Sequence, residues 1–409
     1  MQGAHHFFTY TSEILAWRLG DAPGSTGEPA AAPDADAARA KARRILRAAG
    51  EKREIVLLGL GTGGVAAALA EALPGDKFLT VLCPDPEAAR RVAQAGRLGW
   101  LAPDGPAQLV ADTSRQALFC LPALAGFDPD GALVVANPEP APPGVREPLA
   151  WARRMLTESA PLPEEPDAPD ADAPDPPAVT LAVLARPGEP GLSEFCSACA
   201  GLAQRAVLLW DAADVPGEAA LAEALDMPVR HLARPLAGDF AAQRNALLAA
   251  CPPGWILSLD PDERPHPDMA ATVARLTRRP DLGGAFFPRL TLYPDPGHAK
   301  VGHGLWPDLQ LRLLRNLPPA RPRYVRPVHE RLEGLAGRAA LALGAPLAHL
   351  NRLLADDGAV TAKLAAYDAA AGVPRHRLSR DYPALPLEFF TALAADGPKA
   401  RVLLPPPLW

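Results

Sequence analysis

The chain is poor in lysine. Of its 41 basic residues only six are lysine (Lys41, Lys52, Lys77, Lys300, Lys363 and Lys399), and 47 acidic residues outnumber the bases to leave a net charge of −6. Nucleic-acid binding of the basic-patch kind, which needs clustered cations to displace counterions, is therefore not expected. Cysteine is scarce too, five in 409 residues and widely spread. That supplies no disulfide framework and fits a reducing cytoplasm. No stretch approaches the roughly 18 uninterrupted apolar residues of a membrane span. The opening MQGAHHFFTYTSEILAWRLG lacks a basic region followed by an apolar one, so neither a transmembrane segment nor a secretion signal is expected, and membrane contact, if any, is peripheral. No fixed-period repeat is visible, which removes solenoids.

Alanine and proline are abundant, with 49 prolines, while hydrophobic residues make up 48% and charged residues 22% of the chain. These proportions belong to a globular protein, and the length suits two domains. Residues 158–178, ESAPLPEEPDAPDADAPDPPA, almost exclude apolar side chains and read as a stiff, solvated linker. The expected division is an N-terminal Rossmann-like domain over 1–157, this linker, a second α/β domain over 179–375 and a tail over 376–409. On either side of the linker, strand-like runs (IVLLGLG, KFLTVLCPD, then VTLAVLA, AVLLWD, WILSLD) alternate with helix-like ones such as GGVAAALAEAL, GEAALAEAL and FAAQRNALLAA. Two α/β domains with mostly parallel sheets follow.

Two constellations stand out. In GLGTGG, the glycines Gly59, Gly61, Gly63 and Gly64 lie between a strand and a helix, and Asp85 ends the next strand. Missing Cβ atoms there let the backbone approach a ligand at a helix N-terminus, and the acid could hold a ribose hydroxyl. The spacing departs from GxGxxG and is closer to the first motif of S-adenosylmethionine-dependent methyltransferases. A ligand-free turn is the equal alternative. In WILSLDPDE, Asp260, Asp262 and Glu263 follow a buried strand, at the carboxyl edge where open α/β sheets bind ligands. Alternate carboxylates there can hold a divalent cation while its other positions take diphosphate oxygens; an acidic turn with Asp as the N-cap of a helix before PHPDMAATVARL is the alternative.

The run GDFAAQRNALLAACPPGWILSLDPDE as a whole resembles the family 2 glycosyltransferases of the bacterial lipopolysaccharide and protein-glycosylating type, with Asp239, Phe240, Arg244, Asn245, Trp255, Asp260, Asp262 and Glu263 at the matching positions. The resemblance continues through GLWPDLQLRLLRN (Trp306, Asp308, Gln310, Arg312, Arg315), RYVRPVHERL (Tyr324, Val328, His329, Glu330) and a closing segment with His349, Lys363 and Tyr367, spanning residues 178–370. It departs at the first two strand ends, where Arg186 and Glu189 are approximate stand-ins and Asp211 is kept with Asp214 nearby, and Pro261 replaces a small residue inside the acidic motif. The resemblance implies a GT-A fold and metal-dependent, inverting transfer of a sugar from a nucleotide-diphosphate donor to a glycan, lipid-linked or protein acceptor. It implies Mg²⁺ or Mn²⁺ on Asp262 with Asp260, and donor contacts from Asp211, Asp239, Arg244, Asn245, Asp260, Arg312 and Arg315. Glu330 beside His329 is the expected base, and Asp308 the second choice. A degenerate adaptor or nucleotide-binding module is the alternative, as is methyltransferase-like chemistry at GLGTGG.

Smaller features remain. Cys196 and Cys199 read as a structural pair in a helix. The glycine-rich segment around His298 and His303 reads as either a lid or a plain surface loop. The tail ARVLLPPPLW either docks on the body or meets a partner.

Overall fold

The computed structural model describes residues 4–16, 34–162, 177–317, 322–326, 330–355, 358, 360–362, 365, 382–395 and 402–406. His329, Lys363, Tyr367 and most of the expected linker lie outside them. The chain forms two compact units: Met1–Ser159 with Gly297–Pro307 and Asp381–Lys399, and Ala160–Pro296 with Asp308–Arg380 and Ala400–Trp409.

The first unit begins with α1 (Ala4–Ala16) and α2 (Ala35–Ala49), the latter capped by Asp34, whose carboxylate accepts from the amides of Asp36 and Ala37. Then β1 (Glu54–Leu58), α3 (Gly64–Glu71), β2 (Phe78–Cys83), α4 (Pro86–Gln94), β3 (Ala107–Ala111), α5 (Arg115–Leu124), β4 (Ala132–Ala136) and α6 (Pro143–Glu158) alternate. The strands form one parallel sheet in the order β3-β2-β1-β4. Its central strands are apolar at nearly every position because both faces are covered, as Ile55, Leu57, Leu79 and Val81 show. The order reverses between β1 and β4, which makes the crevice beside them the switch point of this sheet.

The second unit carries an 11-stranded mixed sheet. It contains β5 (Ala160–Pro161), β6 (Val179–Ala185), α7 (Leu192–Ala198), β7 (Arg205–Trp210), β8 (Val229–Ala233), α8 (Phe240–Ala250), β9 (Gly254–Leu259), β10 (Glu263–Arg264), α9 (Met269–Thr277) and β11 (Leu282–Thr291). The run GEAALAEAL, expected as an α-helix, is a 3-10 helix over Gly217–Leu225. The chain then enters the first unit as β12 (His298–Lys300) and returns as β13 (Asp308–Asn316), the hairpin β14 (Arg323–Val325) and β15 (Arg331–Glu333), β16 (Arg338–Ala342), β17 (Leu347–His349) and α10 (Asn351–Leu354). A second excursion supplies β18 (Ala384–Pro386) and α11 (Leu387–Ala395) to the first unit, and β19 (Val402–Leu404) closes the second.

Strands β8, β7, β6 and β9 are parallel neighbours; β13 joins β9 antiparallel, β11 joins β13 antiparallel, and β16 joins β11 parallel. The segment around His298 and His303 is thus part of the first unit, where β12 pairs with β18 and Trp306 lies 5.8 Å from Tyr10 and 5.4 Å from Phe390 between ring centroids. The tail docks: β19 pairs with both β16 and β5. Cys196 and Cys199 are buried in the core of the second unit, and burial pushes both thiols up, away from the reactive thiolate.

Candidate active site

Asp260 sits at the carboxyl end of β9, where the parallel half of the second sheet ends. Its two oxygens are both taken by guanidinium groups: Oδ2 lies 2.5 Å from Arg312 and Oδ1 3.4 Å from Arg244. Glu263, fully buried, accepts from Arg312 at 2.5 Å and Arg289 at 3.3 Å through one oxygen and from the Asp260 amide at 3.1 Å through the other. Arg289 also holds Asp308 at 2.7 Å, and Arg244 donates to Glu330 Oε1 at 2.8 Å. Three arginines and four carboxylates therefore form one chain of contacts.

Burial opposes the charges of Asp260, Arg244, Arg289 and Arg312, and the opposite charges outweigh it. Burial pushes the Asp260 carboxyl up, but Arg312, Arg244 and Arg289 together hold it far below the usual carboxylate range. Arg312 and Arg244 remain charged for the reciprocal reason: burial opposes the cation and the neighbouring carboxylates prevail.

Helix α8 positions the second half of the site. Asp239 caps it, accepting from the Ala242 amide at 2.9 Å, which sets where Arg244 and Asn245 emerge. The Asn245 amide reads the backbone of Tyr324 twice, donating to its carbonyl and accepting from its N–H, each at 2.8 Å. The Arg244 guanidinium lies 5.6 Å from the Tyr324 ring centroid. These contacts fasten the β14–β15 hairpin, beside which Glu330 stands.

Asp262 lies on the other side of the strand end. Its Oδ2 is 3.3 Å from His349 Nε2, and the other ring nitrogen, Nδ1, is 3.1 Å from Thr291 Oγ1. Pairing of β10 with β17 sets Glu263 opposite His349 and so fixes this juxtaposition. Among the described residues no group of three or more His, Cys, Asp or Glu could hold a metal ion. The donor set still fits a hard divalent cation that keeps several non-protein ligands, as Mg²⁺ does with one or two protein donors and phosphate oxygens. Asp262, with His349 3.3 Å away, would be such a donor, and Asp260 is held by Arg312 and Arg244.

The structure thus brings Asp260, Arg244, Arg312, Glu330 and Asp308 into one network and sets Asp262 beside it. It does not bring Arg315 there. That residue donates to the Pro280 carbonyl at 2.9 Å and faces Trp255 at the start of β9, about 16 Å from Asp260 at ~3.3 Å per strand residue. Asp211 binds the Leu236 amide at 2.7 Å. Sequence reasoning passed over Arg289, which stands out as the lone charge in the otherwise apolar strand LGGAFFPRLT, and gave Glu263 no role.

Beneath the hairpin a cavity of about 820 Å³ opens, lined at one end by Arg244, Arg312 and Glu330 and elsewhere by Leu309, Leu332 and Pro405 among others. Arg312 is 4% exposed, and its Nε has no hydrogen-bond partner among the described residues.

In the first unit the glycine turn is filled from within. Glu139, from the loop after β4, accepts from the Thr62 amide at 2.6 Å and the Thr62 hydroxyl at 2.9 Å. Gly61 has φ of +60°, and a Cβ there would lie 2.0 Å from Glu139 Oε2. The carboxylate occupies the place an anionic ligand group would take. Gly59 and Gly63 also have positive φ, and Asp85 caps α4 through the Ala88 amide at 3.0 Å.

No protein-family model matches the chain, and no curated protein does. Among solved structures, Staphylococcus aureus TarS 1-349 in complex with UDP-GlcNAc aligns with a TM-score of 0.25 at 13% identity over 30% of this chain and 40% of that one. TarS itself gives 0.24 at 14% over 34% and 28%, and TarS 1-349 in complex with UDP gives 0.23 at 12% over 34% and 46%. The chain spans less than half the length of each of these structures.

Proposed function

We propose that the second unit is a glycosyltransferase of the GT-A type, moving a sugar from a nucleotide-diphosphate donor to an acceptor hydroxyl with inversion. The observation that carries this reading is the acidic strand end. Asp260 and Asp262 sit at the carboxyl edge of a parallel sheet, with a carboxylate base held beyond them by an arginine shared with Asp260. The resemblance over residues 239–330, which includes these residues, supports it as well.

Departure of a diphosphate builds negative charge. The cluster cannot neutralise that charge alone, because Arg244, Arg289 and Arg312 are already outnumbered by Asp260, Glu263, Asp308 and Glu330. A Mg²⁺ or Mn²⁺ ion held by Asp262 and His349 would supply the missing positive charge. Asp260, fixed by two arginines, would orient the donor. Glu330 is the better base of the two candidates: Arg244 engages its Oε1, while Asp308 has Oδ2 on Arg289 and Oδ1 on Gln310 at 2.6 Å. His329 is proposed to assist beside it.

Calorimetry with UDP and the other nucleoside diphosphates, with and without Mn²⁺, tests the reading. Metal-dependent binding is expected in the wild type and should disappear in Asp262→Asn, whose melting curve stays normal because a carboxylate at a strand end contributes little to the core. Wild-type protein that ignores every nucleoside diphosphate overturns the proposal.

A further inference from the structure

We infer that the cavity beneath the β14–β15 hairpin is the acceptor pocket, and that it takes a neutral hydroxyl-bearing acceptor joined to an aliphatic or aromatic group. This rests on the transferase reading above.

Position is the first argument. Arg244 bridges the acidic strand end and Glu330, so Glu330 and Arg312 form the polar end of the cavity next to Asp260. An acceptor hydroxyl placed there reaches the proposed base.

The walls decide the class. Phe286, Leu309, Leu332, Leu335, Pro405 and Pro406 supply their apolar part, beside Gln310, Arg331, Glu333 and Arg338. A bare oligosaccharide would set its hydroxyls against the apolar side chains unpaired, which is unfavourable, whereas an alkyl or aryl group gains by burial. The volume of about 820 Å³ is that of a site for a whole small molecule rather than one sugar ring. Phosphate-bearing acceptors are disfavoured at the polar end, where Arg244 and Arg312 are already paired with Asp260, Glu263 and Glu330. Arg331 pairs with Glu333 at 2.8 Å, and Arg338 donates to the Pro405 carbonyl at 3.4 Å.

The test uses the full-length chain and saturation-transfer NMR titrations with methyl, hexyl and phenyl β-D-glucopyranoside and with glucose 6-phosphate. UDP with Mn²⁺ is titrated in parallel. The hexyl and phenyl glycosides are expected to bind roughly ten-fold or more tightly than the methyl glycoside, from the apolar area they bury. Leu332→Trp, which fills the cavity, and Leu332→Ser, which makes its wall polar, should each remove that advantage while leaving UDP binding and the melting curve unchanged. Equal affinity for the three glycosides, an advantage that survives both Leu332 variants, or tightest binding of glucose 6-phosphate overturns the inference with the transferase reading intact. A Leu332-sensitive preference in a protein that ignores UDP keeps the pocket and its ligand class but removes the transferase reading.

Discussion

Arg312 shows how a single buried cation organises the candidate site. It joins Asp260 to Glu263, and no other described guanidinium reaches both at 2.5 Å. Arg312→Leu leaves two carboxylates without their main partner, Glu263 fully buried and Asp260 mostly so. Removing one member of such a buried pair costs about 3–5 kcal/mol, and urea unfolding should register a loss of that size. The base is testable at the same scale. Glu330→Gln keeps the shape of the side chain and can still accept from Arg244, but an amide does not take up a proton at neutral pH. Transfer at saturating donor should fall by about 10² to 10⁴-fold. Asp308→Asn is expected to fall much less, since both Asp308 oxygens are already spoken for. A dead Asp308 variant beside a near-normal Glu330 variant would move the role to Asp308.

Among the elements, β19 does more than its length suggests. Three residues from the end of the described chain pair with β16 on one side and β5 on the other, and Val402 and Leu404 enter the main core of the second unit. The strand thereby covers what would otherwise be open edges of the sheet, and Pro405, just after it, walls the cavity. Leu404→Ala should destabilise the protein by about 2–5 kcal/mol, the usual range for a buried leucine truncation. A melting curve indistinguishable from wild type would show that the tail is peripheral. The hairpin β14–β15 is an element of the opposite kind, short and half-exposed, held by Asn245 and Arg244 instead of by a core of its own.

At the level of the whole molecule, the two units should respond to acid in opposite directions. In the first unit burial, with Asp128 adding to it, raises the Glu54 carboxyl to about 7. Burial likewise raises Asp112 to about 6, even though it accepts from the Tyr10 hydroxyl at 2.5 Å and the Ser114 amide at 2.7 Å. Raised carboxyls hold protons in the folded state that the unfolded chain has released. Their stabilising contribution is complete below the unfolded values, about 4, and is lost as pH rises through 6 and 7. Asp260 in the second unit is held low, so its contribution is present above about 4 and is lost as the pH falls further. Thermal melts at pH 3.5 and pH 8 should therefore show Asp112→Asn raising the melting temperature at pH 8 with little effect at pH 3.5, because the amide copies the protonated acid. An equal shift at both values would refute the assignment.

What the amino-acid order determined by itself were the features that depend on near neighbours. Period and apolar run length marked the buried strands IVLLG and WILSLD, a short polar residue before a helix marked Asp239 as a cap, and glycine spacing marked a turn that no other residue enters freely. The acidic motif was legible for the same reason, since its residues are consecutive. Tertiary structure alone decided who meets whom across the chain. Glu139 reaches the glycine turn from 77 residues away, and Arg312 reaches Asp260 from 52. His349 meets Asp262 only because β10 pairs with β17. Opposite charges are not bound to a sequence period, and a partner brought by strand pairing leaves no local trace. That is why Arg289 was passed over, and why the arginine contacts of Asp260 left no mark in the acidic motif.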